Sequence, residues 1–75
     1  MDYIQEQIEH YNYGYINDMT LVDRCLEHIN NEIEDDLSNL DTLIAIKDFV
    51  NSNDLSWSIV ADINDCINEK IDNLK

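Results

Sequence analysis

Cys25 and His28 are the first residues in this chain whose types and spacing could do chemistry. Three apart on one helix, a thiolate and an imidazole can reach the same metal ion, and His10 and Cys66 would have to complete the shell from elsewhere. A structural zinc site is normally built from two such closely spaced pairs, and this chain has one. The expectation is therefore no metal: a core thiol beside a half-exposed histidine. The acidic run from Glu32 to Asp36 lacks the glycine and the alternating oxygen ligands of an EF-hand loop, so it does not make a calcium site.

Catalytic patterns are equally sparse. No glycine-rich phosphate loop, nucleophile elbow or Cys-x-x-Cys pair occurs. A di-metal carboxylate bundle needs Glu-x-x-His pairs from facing helices, and the position three before His28 holds Cys25. The chain reads as a non-enzyme without cofactor or metal, whose chemistry is that of its carboxylates.

Those carboxylates are unusual in number. Seventeen Asp and Glu against four Lys and Arg give a formal net charge of −13 in 75 residues. Self-repulsion at that density works against the compact state, and solubility alone needs a magnitude of only about 2 to 8. Such a surface excludes direct binding to DNA, RNA or anionic lipid by counterion release. It favours a basic partner, a cation, or the imitation of a polyanion.

Helices must position these groups. From Thr20 to Leu37 the apolar residues Val22, Cys25, Leu26, Ile29, Ile33 and Leu37 recur at steps of three and four. Asp23, Glu27 and Glu34 fall on the other side, and Asp35 and Asp36 crowd the end. Thr20 with Asp23 approximates a capping box, which predicts a helix from Thr20 to about Asp36. Before it, residues 2 to 13 put Ile4, Ile8 and Tyr11 on one face, continued by Tyr15, with Asp2, Glu6 and Glu9 opposite. Gly14 is the natural stop of that helix.

Ser38 followed by Asp41 repeats the capping pattern and opens a third helix on Leu40, Leu43, Ile44, Lys47 and Val50, widened by Ile46 and Phe49. This most hydrophobic run is the expected centre of the bundle. Asn51 to Asp54 is a loop by composition. A fourth helix carries Val60, Ile63, Ile67, Ile71 and Leu74 on one stripe and Asp62, Asp65, Glu69 and Asp72 on nearly the opposite one. The absence of proline and the single glycine argue against a β-rich domain, so the expected fold is all-α, one compact domain of about four short helices with antiparallel neighbours. A chain this short buries only about 60% of its unfolded surface, which makes extra stabilisation from a homodimer an open alternative. Cys25 and Cys66 read as free thiols, and with no secretory leader or membrane-spanning run in view the expected compartment is the cytoplasm of a bacterium or a phage-infected cell.

Two resemblances follow. Size, acidity and helicity resemble acyl carrier proteins around DLSNLDTLIAIKDF, residues 36 to 49, which would imply a phosphopantetheine on Ser38. That family places serine directly after aspartate, in a motif preceded by a long loop. Here Leu37 intervenes and a periodic segment precedes, so Ser38 reads as a helix cap. In composition, length and helicity the whole chain also resembles small acidic proteins with which phages occupy the DNA-binding grooves of host enzymes, the antirestriction and anti-CRISPR inhibitors. This second resemblance implies a carboxylate surface set against a nucleic-acid-handling protein. It rests on no motif, so the residues come from the pattern itself: Asp23, Glu27, Glu34, Asp35, Asp36, Asp62, Asp65, Glu69 and Asp72. Tyr13, on the acidic side of its helix, and Trp57, opening the fourth, are the aromatic anchors such an interface favours. The alternative is a helical adaptor or immunity-type module that fits a basic partner through shape and an apolar patch.

Overall fold

A computed structural model describes residues 2–74, apart from the Asp2 side chain, whose expected place opposite the apolar face of the first helix lies outside the described residues. Among the described residues there are four α-helices and one short turn: α1 (Asp2–Asn12), α2 (Asp18–Glu32), a 3-10 turn (Leu37–Asn39), α3 (Leu40–Ser52) and α4 (Trp57–Asp72). The fold is all-α, as its periodicity predicts, and no helix among the described residues is long and apolar enough to cross a membrane.

The helix ends depart from expectation for local reasons. Helix α2 starts at Asp18 because the Asn17 side-chain oxygen accepts from the Thr20 N–H at 2.8 Å, so Thr20 is the third helical residue and not the cap. It also ends early, at Glu32. Ile33 takes an extended backbone (φ −108°, ψ 115°) yet remains buried, so the apolar spacing survives while the helix does not. Glu32, Glu34, Asp35 and Asp36 follow one another where the helix dipole is negative, which disfavours continuing the helix through them. Leu37, expected on the apolar face of α2, is left exposed. In the connector the Asp36 carboxylate accepts from the Ser38 N–H at 3.0 Å, so Asp36 is the capping residue and Ser38 lies within the 3-10 turn instead of opening α3.

Gly14 does stop α1. Its φ of +84° lies in the left-handed region, and the Gly14 and Tyr15 N–H groups donate back to the Tyr11 and His10 carbonyls at 3.0 and 2.9 Å. This double closure is the Schellman arrangement. It swings the chain away from the α1 face, and Tyr15, expected to continue that face, is 75% exposed.

Cross-helix contacts fix the topology. Arg24 Nη1 donates to Gln7 Oε1 at 2.8 Å and Tyr3 stacks on His28, so α1 and α2 run antiparallel. Lys47 Nζ donates to Asn68 Oδ1 and Asn64 Nδ2 to Asn51 Oδ1, each at 2.9 Å, which sets α3 antiparallel to α4. Helices α2 and α4 are parallel: Met19 and Val22 share a recess with Ser58 and Ile59, while Leu26 and Asn30 share another with Cys66 and Asn73. The expectation of antiparallel neighbours fails at this pair, because α3 carries the chain back along the rod before α4 begins.

Helix α4 packs against both α2 and α3, so it takes the central place expected of α3. Ile63 and Ile67 are buried as expected and Ile59 joins them, whereas Val60, Ile71 and Leu74 are only partly buried; the buried stripe of α4 is rotated toward Ile59 from the expected one. On α3, Leu43, Ile46 and Val50 reach the core and Ile44 stays exposed. Ile4, Ile8, Leu21, Cys25 and Ile29 complete a single core inside a rod of 38 × 20 × 18 Å.

Candidate functional site

The parallel pair α2 and α4 leaves a long groove on the outside of the rod. At its N-terminal end the lining residues are Asp18, Met19, Val22 and Asp23 from α2 with Ser58, Ile59 and Asp62 from α4. Further along, Leu26 and Asn30 face Asp62, Asp65, Cys66, Glu69, Lys70 and Asn73, with Asp35 folding in from the connector. Asp62 belongs to both stretches, so they form one continuous surface with a partly apolar floor and acidic walls.

Parallel packing is what aligns these charges. On α2 the groove side lies next to the stripe that buries Cys25 and Ile29, and on α4 next to Ile59, Ile63 and Ile67. Asp18 and Ser58 line the same end of the groove, one on each helix. At about 1.5 Å per residue, the five carboxylates Asp18, Asp23, Asp62, Asp65 and Glu69 therefore span about 17 Å of axis in four intervals that average about 4 Å. One strand of duplex DNA carries one per about 3.4 Å. The carboxylate spacing is somewhat wider than that of a single phosphate strand and far wider than that of both strands together.

Bases do not offset this wall. Among the described residues, Arg24 is bonded to Gln7 on the far side of α2, and Lys47 to Asn68 at the α3–α4 seam. Lys70 alone lies in the groove, where its ammonium pairs with Asp35 at 2.9 Å and donates to the Asn30 carbonyl at 3.4 Å. That pair removes Asp35 from the free charge. On the groove floor Cys66 donates to Asn30 Oδ1 at 3.6 Å; burial first, and then Glu69, push its thiol pKa above the ordinary value. Cys25 lies in the core, and burial pushes its thiol up to about 11. Near the groove mouth, a hydrogen bond to Asp18 raises the Tyr11 phenol.

Of the residues singled out from the sequence, Asp23, Asp62, Asp65 and Glu69 are brought together here, joined by the paired Asp35. The others are dispersed. Glu27 lines a separate cleft between α1 and α2 with Tyr3, Arg24, His28 and Glu32. There the Tyr3 and His28 rings stack with centroids 4.7 Å apart, and burial lowers the His28 pKa. Glu34 and Asp36 sit in the connector, the latter occupied as a cap, and Asp72 closes α4. Tyr13 and Trp57 are exposed at the end of the rod where α1 finishes and α2 and α4 begin. Asp18 and Met19 are not legible as site residues, because the Thr20–Asp23 pattern places the helix start after them; Asn17, a strong capping type, is the available signal.

No family model, curated protein or solved structure matches this chain.

Proposed function

We propose that this chain is a small acidic inhibitor that occupies the phosphate-binding groove of a nucleic-acid-handling protein, in the cytoplasm of a bacterial or phage-infected cell. The observation that carries this reading is the spacing of Asp18, Asp23, Asp62, Asp65 and Glu69 along the α2–α4 groove. Carboxylates about 4 Å apart along the axis of a packed helix pair can meet the Lys and Arg that otherwise hold phosphates. They steer encounter through long-range attraction and then block the groove. The helices fix the backbone positions of these acids, so binding has to order side chains but not the chain that carries them.

Placement strengthens the reading. Glu69, in the groove, sits near the C-terminal end of α4, where the helix dipole disfavours negative charge. An acid set against its own helix there supports an external cationic partner.

The test is competition. The chain, immobilised, is exposed to a panel of purified DNA-binding nucleases at low salt, and duplex DNA is added as competitor. The expected result is capture of a panel member that DNA displaces and that weakens steeply between 50 and 500 mM salt, with loss of capture by the triple variant Asp62→Asn, Asp65→Asn, Glu69→Gln. Capture indifferent to salt and to that variant would sink the proposal and favour the adaptor reading.

A further inference from the structure

The rod has two unlike ends, and one of them gathers apolar side chains that the core does not use. Helix α1 finishes there, α2 and α4 begin there, and the α3–α4 loop crosses it. Trp57 is 83% exposed, Tyr15 75%, Met19 74% and Tyr13 70%, although each is large enough to contribute to a core of this size. Tyr13 and Tyr15 pack against each other with ring centroids 6.0 Å apart. Met19 stands over a recess floored by Val22 and Ile59. Leaving Trp, Met and Tyr in water is costly for a domain with so few core residues, and these are the types enriched in the centres of protein interfaces.

The rim of this end is acidic. Asp18, Asp23 and Asp62 line the recess around Met19, and Asp54 precedes Trp57 by three residues. That rim selects the occupant. A second copy docked end to end would set these carboxylates against their own counterparts at contact range, well inside the Debye length of about 8 Å at physiological salt. A biological membrane carrying anionic lipid is repelled in the same way.

Resting on the inhibitor reading above, we infer that this end is the anchoring point for the basic partner. The recess takes an apolar side chain flanked by Lys or Arg: its body lies over Val22 and Ile59 against Met19, the flanking cations reach Asp18, Asp23 and Asp62, and Trp57, at the same end but outside the recess, meets the rest of the partner. The groove then supplies orientation and encounter rate, and the end supplies residence time.

Trp57 is the only tryptophan, so its emission reports the end directly. The probes are two synthetic peptides of equal positive charge, one an amphipathic Leu/Lys helix free of tryptophan and one oligolysine. The expected result is a blue shift of Trp57 emission with the amphipathic peptide only, and binding at least tenfold tighter than oligolysine. Met19→Ser, a change at an exposed position, should reduce the amphipathic peptide's affinity about tenfold and leave oligolysine unchanged. Equal affinities without a spectral shift would overturn the inference. So would a blue shift on zwitterionic vesicles alone, or one that rises with protein concentration in the absence of peptide. A groove double variant, Asp65→Asn with Glu69→Gln, leaves the rim acid Asp62 in place and separates the two readings: if it weakens oligolysine binding while Met19→Ser changes nothing, the anchor fails and the groove stands. If it is inert while Met19→Ser matters, the anchor stands and the groove fails.

Discussion

Lys70 places its ammonium 2.9 Å from Asp35 Oδ1 while its stem is almost wholly buried between α2 and α4. The pair ties the α2–α3 connector to the central helix, and the second donation, to the Asn30 carbonyl, satisfies a backbone group near the end of α2. Lys70→Met keeps the stem and removes the donors. It should cost about 1 kcal/mol, since the Asp35 end is open to water and the carbonyl loses one partner. Lys70→Ala should cost more because the packed stem goes too. Urea denaturation measures both. Equal stability of Lys70→Met and the parent would show that the contact holds nothing in place.

The groove acids repel one another, and Glu69 also opposes the dipole of α4. The triple variant Asp62→Asn, Asp65→Asn, Glu69→Gln should therefore be more stable than the parent by about 1 to 2 kcal/mol at low ionic strength, from a few tenths to one for each charge. The melting temperature of the parent should rise with added NaCl and that of the variant should rise less. A parent that melts at the same temperature in 10 and 500 mM NaCl would mean that its charge carries no folding penalty, and the argument that these acids are kept for a partner would lose its basis.

Much of the fold was legible because apolar spacing is a direct consequence of helix geometry: Ile4 and Ile8, Cys25 and Ile29, Ile63 and Ile67 all stand where three- and four-residue steps place them. What spacing could not show was where a helix gives way while its periodicity continues. Ile33 reaches the core from an extended backbone, and nothing in its spacing from Ile29 distinguishes that from one more helical turn. Nor does periodicity report which helices adjoin. The α2–α4 pairing depends on how α3 folds back, and with it the convergence of Asp23 with Asp62 and Asp65. Individual acidic stripes could be read from the sequence. Their merging on α2 and α4, and the separation of Glu27, Glu34 and Asp36 from them, belong to tertiary structure.

Gly14 offers a cleaner local test. Nothing lies within 4 Å of where a Cβ would stand, so space is no obstacle, but the backbone has φ +84°. Gly14→Ala should cost about 1 to 2 kcal/mol from the left-handed conformation alone. Gly14→Asn should cost less, because asparagine tolerates that region better. Chemical denaturation of the two variants gives the order, and an alanine variant as stable as the parent would mean that the α1–α2 turn adopts another shape in solution.

Cys25 makes stability depend on pH in the alkaline range. Its thiol is fully buried, and burial raises its pKa from about 9 to about 11, so the folded chain holds a proton that the unfolded chain releases first. Where the unfolded state binds fewer protons, stability falls as pH rises. The contribution is complete below pH 9 and is lost progressively between about 9 and 11, amounting to no more than about 3 kcal/mol. Cys25→Ala removes this slope at the cost of a small cavity, so the parent should be the more stable chain at pH 8 and should lose that advantage, with the order reversing, as pH approaches 11 in urea titrations. The same burial predicts reactivity: at pH 8 Ellman's reagent should modify the half-buried Cys66 first, and Cys25 only at the rate of global opening. Rapid modification of both thiols in the absence of denaturant would contradict the placement of Cys25 against Ile29 in the centre of the rod.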